Sequence, residues 1–167
     1  GVAYHDTTAG NAGGQFRADD VDIEIKPGEA TPNVGWVVAG EWLEFTTDAV
    51  GGAYDVTARV ANPNASTTLR LLLDGGALVT VPVPNTGSWS TFVEVTVTNV
   101  AIGGGLGRVL RAELDGPFNL DWLEFTPSAL PPVPPQLTWN HAGGSLTLQW
   151  NGAGFKLQSQ TNSPGAG

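Results

Sequence analysis

The sequence predicts an all-β protein whose sheets form a sandwich, and three observations lead to that fold class. Apolar and polar residues alternate with a period of two through most of the chain, whereas a helical period is hard to find. Alternating runs of about eight residues, bounded by turn signals, are typical of a β-sandwich or jelly roll. The chain also holds 23 Gly and 12 Pro, the residues that favour turns between strands.

Seven alternating segments predict strands in chain order. They lie at residues 21–25, 54–60, 69–73, 79–83, 93–97, 108–114 and 118–126. Asp74-Gly75-Gly76 separates the third from the fourth and is a strong hairpin signal. Gly103-Gly104-Gly105 predicts another turn between strands. Each strand is expected to bury its apolar face against the opposite sheet.

The prolines near residue 130 predict a domain boundary. Residues 127–135 read PSALPPVPP, and consecutive prolines favour an extended, semi-rigid spacer. We therefore divide the chain into a β-sandwich at 1–127, whose first strand is expected to be missing, a linker at 128–135, and the start of an incomplete second β module at 136–167. Three short strands are predicted in that tail, at 137–139, 146–150 and 155–159. Because the chain begins at Gly1 rather than Met, we interpret it as a mature product or a fragment.

Composition argues against several classes of partner. The formal net charge is −9, with only 7 Lys and Arg, so the chain lacks the basic stripe that a nucleic-acid binder needs. An anionic membrane surface is disfavoured for the same reason, and no apolar run reaches the length of a membrane span. A neutral sugar polymer carries no such penalty. Without cysteine, neither disulfides nor thiol chemistry are available.

Catalysis by a carboxylate pair is not predicted. Glycoside hydrolysis needs two carboxyl groups flanking one bond. The candidate pairs are Glu41 with Glu44 and Asp121 with Glu124, but residues three apart in a strand point to opposite faces. Solvated strand faces explain these four acidic residues more simply.

Nucleophilic and metal chemistry are also weakly supported. The sequence has no G-x-S-x-G motif, and its only histidines, His5 and His141, are expected to be exposed turn residues. Zinc needs clustered His or Cys, so no zinc site is expected. An acidic group near the start lacks the spacing of an EF-hand, and calcium binding there is the lesser alternative to a sugar role. Its members are Asp19, Asp20, Asp22 and Glu24.

Two tryptophans in Gly-containing segments are the strongest functional signal. Trp36 ends the segment NVGW and Trp89 ends TGSW, where loops or strand ends are expected. An indole face stacks well on the apolar face of a pyranose ring, whose hydroxyls then need amide or carboxylate partners such as Asn119, Asp121 or Glu24. The alternative is that each Trp fills the core. A pair flanked by small turn residues favours a surface platform.

Four motifs in order closely resemble a family 6 carbohydrate-binding module. They are NVGW at 33–36, GEWLEF at 40–45, NTGSW at 85–89 and FNLDWLEF at 118–125, and the segment 17–24, with its VDIE, also resembles that family. The likeness covers roughly residues 2–127. It implies a β-jelly roll that binds glycans in a cleft formed by loops.

The resemblance also implies the site residues. Trp36 and Trp89 match the two aromatics that sandwich a sugar in that family, and Asn119 matches an Asn that binds the sugar at the cleft floor. Glu24 matches a carboxylate that contacts a sugar hydroxyl in some relatives. Asp121 matches one ligand of a structural calcium, although two N-terminal acidic ligands of that family are absent and calcium prefers six to eight oxygens.

Four other tryptophans are predicted to be core residues. Trp42 and Trp122 lie within apolar strand segments, and Trp139 and Trp150 lie within the tail.

Together these features predict a non-catalytic, polysaccharide-binding module. We expect it to be secreted or on the cell surface, and to target an attached glycoside hydrolase or other secreted enzyme to plant or algal glycans. A structural or adhesion module without sugar binding is the main alternative, and it predicts that Trp36 and Trp89 are buried. A small glycosidase is the third, and it requires two carboxyls in one cleft.

Overall fold

The computed structural model describes residues 3–128 and 137–150, and these residues form only strands, turns and loops. No helix in this part of the chain is long and apolar enough to cross a membrane. The strands are β1 (Tyr4–His5), β2 (Ile23–Glu24), β3 (Asn33–Val34), β4 (Glu41–Ala49), β5 (Gly52–Ala61), β6 (Thr67–Leu73), β7 (Gly76–Val83), β8 (Val93–Ile102), β9 (Gly105–Leu114), β10 (Asn119–Pro127), β11 (Leu137–Ala142) and β12 (Ser145–Trp150). The predicted all-β class is confirmed.

The described residues fall into two compact units, one within Gly1–Ala129 and the other within Leu130–Gly167. In the first unit two five-stranded antiparallel sheets have the orders β1-β4-β9-β6-β7 and β2-β3-β10-β5-β8. Chain neighbours therefore alternate between sheets in several places, as in a jelly-roll sandwich.

The core of the first unit lies between the two sheets. Alternate residues of the strands point inward, as period-two patterning requires. The fully buried side chains include Val56, Val60, Leu69, Leu71, Val81, Val83, Leu114 and Phe118. Burying one Val, Leu or Phe side chain contributes roughly 1.5–3 kcal/mol. Such a core stabilises the sandwich without any disulfide.

The predicted hairpin turn after β6 is confirmed. Leu73 pairs with Gly76, and the two residues between them, Asp74 and Gly75, have φ values of 51° and 79°. Two consecutive positive φ values define a type I′ turn, which Asp-Gly favours. Arg108 and the backbone N–H of Val109 both bond the Asp74 carboxylate, which fixes this turn to β9.

Glu41 was predicted to lie on a solvated strand face, and the structure shows that this is wrong. Its side chain is buried. The Thr7 backbone N–H and hydroxyl donate to Oε1, at 3.1 and 2.7 Å, while the Val38 N–H donates to Oε2 at 2.9 Å. Strand geometry alone misses this, because the partners lie in loops.

The predicted positions of Trp42 and His5 also differ from the structure. Trp42 is half-buried rather than in the core, with the Arg111 guanidinium carbon 4.1 Å from its ring centroid. His5 lies in β1 rather than in a turn, paired with Trp42. Trp122 is half-buried as well. An outward-facing indole can thus lie in an apolar strand segment beneath a long cationic side chain.

The described part of the second unit is one hairpin. Strand β11 pairs with β12 from Leu137↔Trp150 to Ala142↔Ser145. His141 lies in β11, so the predicted turn begins only at Gly143. Trp139 is 71% exposed rather than a core residue. The third tail strand at 155–159, the side chain of Trp150 and residues 129–136 lie outside the described residues, and the second module stays a prediction.

Candidate functional site

One end of the sheet that contains β2, β3 and β10 carries an open cleft of about 210 Å³. Its lining residues are Glu24, Lys26, Trp36, Trp89 and Asn119. The four predicted sugar-contact residues are therefore brought together, with Lys26 as an addition. The strand order explains this, because β3 lies between β2 and β10 and the cleft residues occupy the ends of these strands or the loops beside them.

The two indoles are exposed at the cleft. Trp36 is 50% and Trp89 is 39% exposed, so neither is a core filler. Trp36 has a φ of 49°, a left-handed conformation that a bulky residue rarely adopts. Such conformations persist where the surroundings enforce them, and they cluster at functional sites.

The cleft floor is a buried polar network centred on Glu24 and Asn119. Both side chains are buried. The Asn119 Nδ2 donates to the Trp89 carbonyl at 2.8 Å and to Glu24 Oε1 at 3.3 Å. Asn33 Nδ2 donates to the same Oε1 at 3.3 Å. These bonds fix the orientation of the amide and the carboxylate, and in the described residues Glu24 Oε2 and Asn119 Oδ1 accept no hydrogen bond from the protein.

Lys26 is a cleft residue that sequence reasoning missed. Its Nζ lies 2.6 Å from Glu24 Oε1 and 5.6 Å from the Trp36 ring centroid. Lys26 therefore neutralises the one carboxylate of the cleft while contacting one of its indoles. The sequence signal for Lys26 was its spacing from Glu24, since residues two apart along an extended segment lie on the same face.

Gly35 gives the floor its depth. A Cβ at this position would lie 2.8 Å from Glu24 Oε1 and 3.3 Å from Asn119 Oδ1. The first distance is shorter than a non-bonded contact permits, so any larger residue would displace the floor. The Gly35 N–H donates to the Asp22 carbonyl at 3.0 Å, which holds the backbone against β2.

Trp89 is held by the loop between β7 and β8. Thr86 N–H donates to the Asn62 carbonyl at 2.6 Å, and Asn62 N–H donates to the Thr86 hydroxyl at 2.9 Å. Asn62 is fully buried. Gly87 has a φ of 86°, which turns the chain toward the cleft. Asn119 then binds the Trp89 carbonyl from below.

Asp121, matched by the resemblance to a calcium ligand, lies outside the cleft and has protein partners. It forms an ion pair with Arg59, and the Thr31 hydroxyl donates to its Oδ1 at 3.0 Å. Arg59 also pairs with Glu29 at 3.0 Å, and hydrogen bonding to Glu29 and Asp121 raises the pKa of its guanidinium. No three acidic or histidine side chains of the described residues cluster as metal ligands. Calcium also takes backbone carbonyl and amide oxygens as ligands, so calcium at Asp121 stays an untested prediction.

The cleft cannot place two carboxyl groups across a glycosidic bond. Glu24 is its only acidic lining residue in the described part of the chain. Of the two candidate pairs, Glu41 is buried beside Thr7, Glu44 accepts from Arg111 at 2.7 Å, and Asp121 pairs with Arg59. The arrangement is suited to holding a ligand, not to cleaving it.

Comparison with known proteins now identifies the family. Residues 14–127 match the family described as carbohydrate binding module (family 6). The chain belongs to this family. It is therefore a non-catalytic carbohydrate-binding module, and the predicted family and function class are confirmed.

The sequence is similar to part of a curated xylanase. It is 42% identical over 98 residues to an endo-1,4-beta-xylanase A of Thermoclostridium stercorarium, a match that covers 57% of this chain but only 19% of that protein. The module thus spans a small part of that relative's length.

Solved structures agree in fold. The module CsCBM6-3 from Clostridium stercorarium, in complex with cellobiose, is 32% identical with a TM-score of 0.57, covering 65% of this chain and 82% of that one. The C-terminal module of the laminarinase LamC from Zobellia galactanivorans is 26% identical with a TM-score of 0.57, covering 70% and 96%. A module from Clostridium cellulolyticum in complex with xylose is 26% identical with a TM-score of 0.57, covering 64% and 86%.

Proposed function

We propose that the module binds a neutral polysaccharide by holding one sugar ring between Trp36 and Trp89. The observation that carries this is the pair of half-exposed indoles at one cleft above a polar floor. Indole faces remove poorly ordered water from the apolar face of a pyranose. Asn119 Oδ1 and Glu24 Oε2 are then available to accept hydrogen bonds from sugar hydroxyls, and Lys26 to donate one.

Charge supports a neutral ligand. In the cleft, the Lys26 ammonium offsets the Glu24 carboxylate, while the whole chain carries a net charge of −9. A polymer of uronates or sulfated sugars would be repelled by this field. The relatives solved with cellobiose and xylose support uncharged glucan and xylan chains as the class of ligand.

The connection to the rest of the chain supports a targeting role in a secreted enzyme. Strand β10 begins at the cleft with Asn119 and ends at Pro127, eight steps of about 3.3 Å away. Ser128 follows, with its N–H bonded to Ala53 and its hydroxyl to Asp55. The sandwich therefore continues toward the proline-rich segment at the end of β10 that is remote from the cleft, and the xylanase relative supports attachment of the module to a catalytic domain.

The two rival functions make predictions that the site does not support. An adhesion module without sugar binding requires buried indoles, but both are exposed. A glycosidase requires a second carboxyl in the cleft, but Glu24 is the only acidic residue lining it in the described part of the chain.

Affinity electrophoresis tests the proposal. The protein should be retarded in native gels that contain xylan or β-glucan, but not in gels with polygalacturonate. Trp89→Ala should abolish the retardation, since it removes one wall of the sandwich. The control is Phe45→Ala, which removes an aromatic ring of the same unit that is 48% exposed but does not line the cleft. Retardation that Trp89→Ala leaves unchanged would show that the cleft is not the sugar-binding site. Release of reducing sugar by the isolated chain would support the glycosidase alternative.

A further inference from the structure

An apolar cavity of about 250 Å³ lies between the two sheets, at the end of the sandwich remote from the cleft. Phe125 of β10 lines it, six residues after Asn119 at the cleft floor, which is roughly 20 Å along a strand. Leu78 of β7, Ile102 of β8 and Leu110 of β9 also line it, and these side chains pack against the core. Both sheets therefore supply walls to this space, which we call the inter-sheet cavity.

The polar side chains of the inter-sheet cavity have protein partners or lie at its rim. The Tyr54 hydroxyl donates to the Val50 carbonyl at 2.9 Å. Asp48 is exposed, and its Oδ1 accepts from the Gly107 N–H at 2.8 Å. Apart from Thr47, the other lining side chains are apolar. A buried water needs about two to four polar partners, so these walls are better suited to an apolar molecule than to ordered water.

Two turns hold the mouth of the inter-sheet cavity in place. Val50 lies in the turn between β4 and β5, and Ile102 ends β8 just before the turn into β9. The two turns meet backbone to backbone, because a Cβ at Gly104 would lie only 2.8 Å from the Gly51 nitrogen. The Arg108 guanidinium also donates to the Gly104 carbonyl at 3.2 Å. Walls that are ordered before a ligand arrives lower the entropy cost of binding.

The size and the rings of the inter-sheet cavity favour a ligand of one aromatic ring. Its volume of about 250 Å³ lies below the range of about 300–1,000 Å³ that is usual for drug-sized ligands. An apolar cavity of about 150 Å³ is nevertheless large enough to bind benzene. Tyr54 and Phe125 both line the inter-sheet cavity, and aromatic rings pack favourably edge to face.

The lining also favours an uncharged ligand. Asp48 is its only acidic residue, and no Lys, Arg or His of the described residues lines it. A cation would leave water for walls that are otherwise apolar, and a carboxylate would in addition be repelled by Asp48. A phenol avoids both penalties, because its hydroxyl can donate to the Asp48 carboxylate at the rim while its ring lies between the sheets.

We infer that the inter-sheet cavity is a binding site for an uncharged molecule with a single aromatic ring, such as a simple phenol. The ring packs among Leu78, Ile102, Leu110 and Phe125, and its hydroxyl faces Asp48. Because the cavity and the cleft lie at opposite ends of the sandwich, this inference does not rest on the proposed sugar function. A glycan in the cleft and an aromatic ring in the cavity can be bound at the same time.

Methyl NMR of the isotope-labelled protein, titrated with p-cresol, tests the inference. We expect saturable shifts of the methyl signals of Leu73, Leu78, Ile102 and Leu110, which all line the cavity. The matched probe is p-toluate, which has the same ring and methyl group but a carboxylate in place of the hydroxyl. Its affinity should be at least tenfold lower, because no cation of the lining can pair with it.

Two variants assign the binding to the cavity. Val50→Trp covers the mouth from a position that is 76% exposed, and Leu78→Phe narrows the cavity from one wall. Each should lower the affinity for p-cresol at least tenfold. The control is Phe16→Trp, at a position that is 74% exposed and does not line the cavity, and it should bind p-cresol as the wild type does. All three variants should keep the retardation of the wild type in xylan or β-glucan gels.

Several results would overturn the inference. They are methyl shifts that do not saturate, shifts confined to the indole signals of Trp36 and Trp89, equal affinities for p-cresol and p-toluate, and unchanged p-cresol affinity in both cavity variants. An equal loss of affinity in Phe16→Trp would overturn it as well. A protein that binds p-cresol in the cavity but no polysaccharide would instead overturn the proposed sugar function and leave this inference standing.

Discussion

At the scale of single residues, the cleft depends on a glycine and on one left-handed backbone conformation as much as on its two indoles. Gly35 makes room for the Glu24 and Asn119 side chains, and Trp36 directly after it adopts a positive φ of 49°. Gly35 sets the depth of the floor. At Trp36 the sequence predicts an ordinary extended backbone, but the left-handed backbone there directs the indole to the cleft. Gly35 is buried, and Trp36 should be far less tolerant of change than its exposure of 50% suggests.

Substitution of Gly35 should separate binding from folding. In Gly35→Ala the new methyl group would approach Glu24 Oε1 to 2.8 Å, so the carboxylate and Asn119 must move. We expect sugar affinity to fall by about tenfold or more, equivalent to roughly 1.4 kcal/mol, measured by calorimetric titration. Gly76→Ala is the matched control, since its Cβ would meet only ordinary contacts. Equal affinities in the two variants would contradict the described floor.

Substitution of Lys26 tests its role beside Glu24. Lys26→Met keeps much of the side-chain volume but leaves the Glu24 carboxylate without its counter-charge and the sugar without a donor. Hydrogen bonds to charged groups contribute about 1.5–3 kcal/mol, so affinity should fall by about tenfold. Lys26→Arg should recover part of the loss, because it restores the positive charge. Full sugar affinity in Lys26→Met would show that Lys26 does not contribute to sugar binding.

At the scale of elements, the loops beside the cleft are fixed by ion pairs to the sheet. Arg59 in β5 reaches both Glu29, in the β2–β3 loop, and Asp121, in β10. Its guanidinium carbon also lies 4.5 Å from the centroid of the Phe92 ring. The loop that follows Lys26 is therefore anchored from the sheet side, independently of any sugar.

Removal of Arg59 should destabilise the fold. Arg59→Met leaves the Asp121 side chain, only 3% exposed, without a cation. Breaking a buried pair from one side costs on the order of 3 kcal/mol, which chemical denaturation would detect. Arg17→Met is the control, because Arg17 and its single acidic partner Asp19 are 42% and 36% exposed, and such exposed pairs contribute about 0–1 kcal/mol. Equal losses in the two variants would contradict the anchoring role.

Much of this architecture was predictable from the sequence, and the exceptions share a physical cause. Period-two patterning located β2 and β5 to β10 but not β1, β3 or β4, and the Asp74-Gly75 turn followed from local backbone preference. The family motifs located Trp36, Trp89, Asn119 and Glu24, which the structure brings to one cleft. Interactions between residues distant in the chain were missed, because patterning records which face a residue occupies but not which partner it meets.

Glu41 illustrates that limit. It looked like a solvated strand residue, but Thr7, 34 positions away, bonds its carboxylate in the interior. Lys26 was missed although its partner Glu24 is only two residues away. It follows the end of β2, where an alternation pattern no longer shows which residues line the cleft.

At the scale of the whole molecule, the cleft floor and the C-terminal end of the sandwich lie at opposite ends of one strand. Asn119 begins β10 at the cleft floor, and Pro127 ends it where the chain passes toward the proline-rich segment. A ligand held in the cleft would therefore leave the Pro127 end of the strand uncovered.

The most direct measurement is a crystal structure of the protein soaked with xylotriose or cellotriose. We expect a pyranose ring between Trp36 and Trp89, with its hydroxyls within hydrogen-bond distance of Asn119 Oδ1 and Glu24 Oε2. Sugar density on another surface, with the cleft between the two indoles filled only by water, would contradict it.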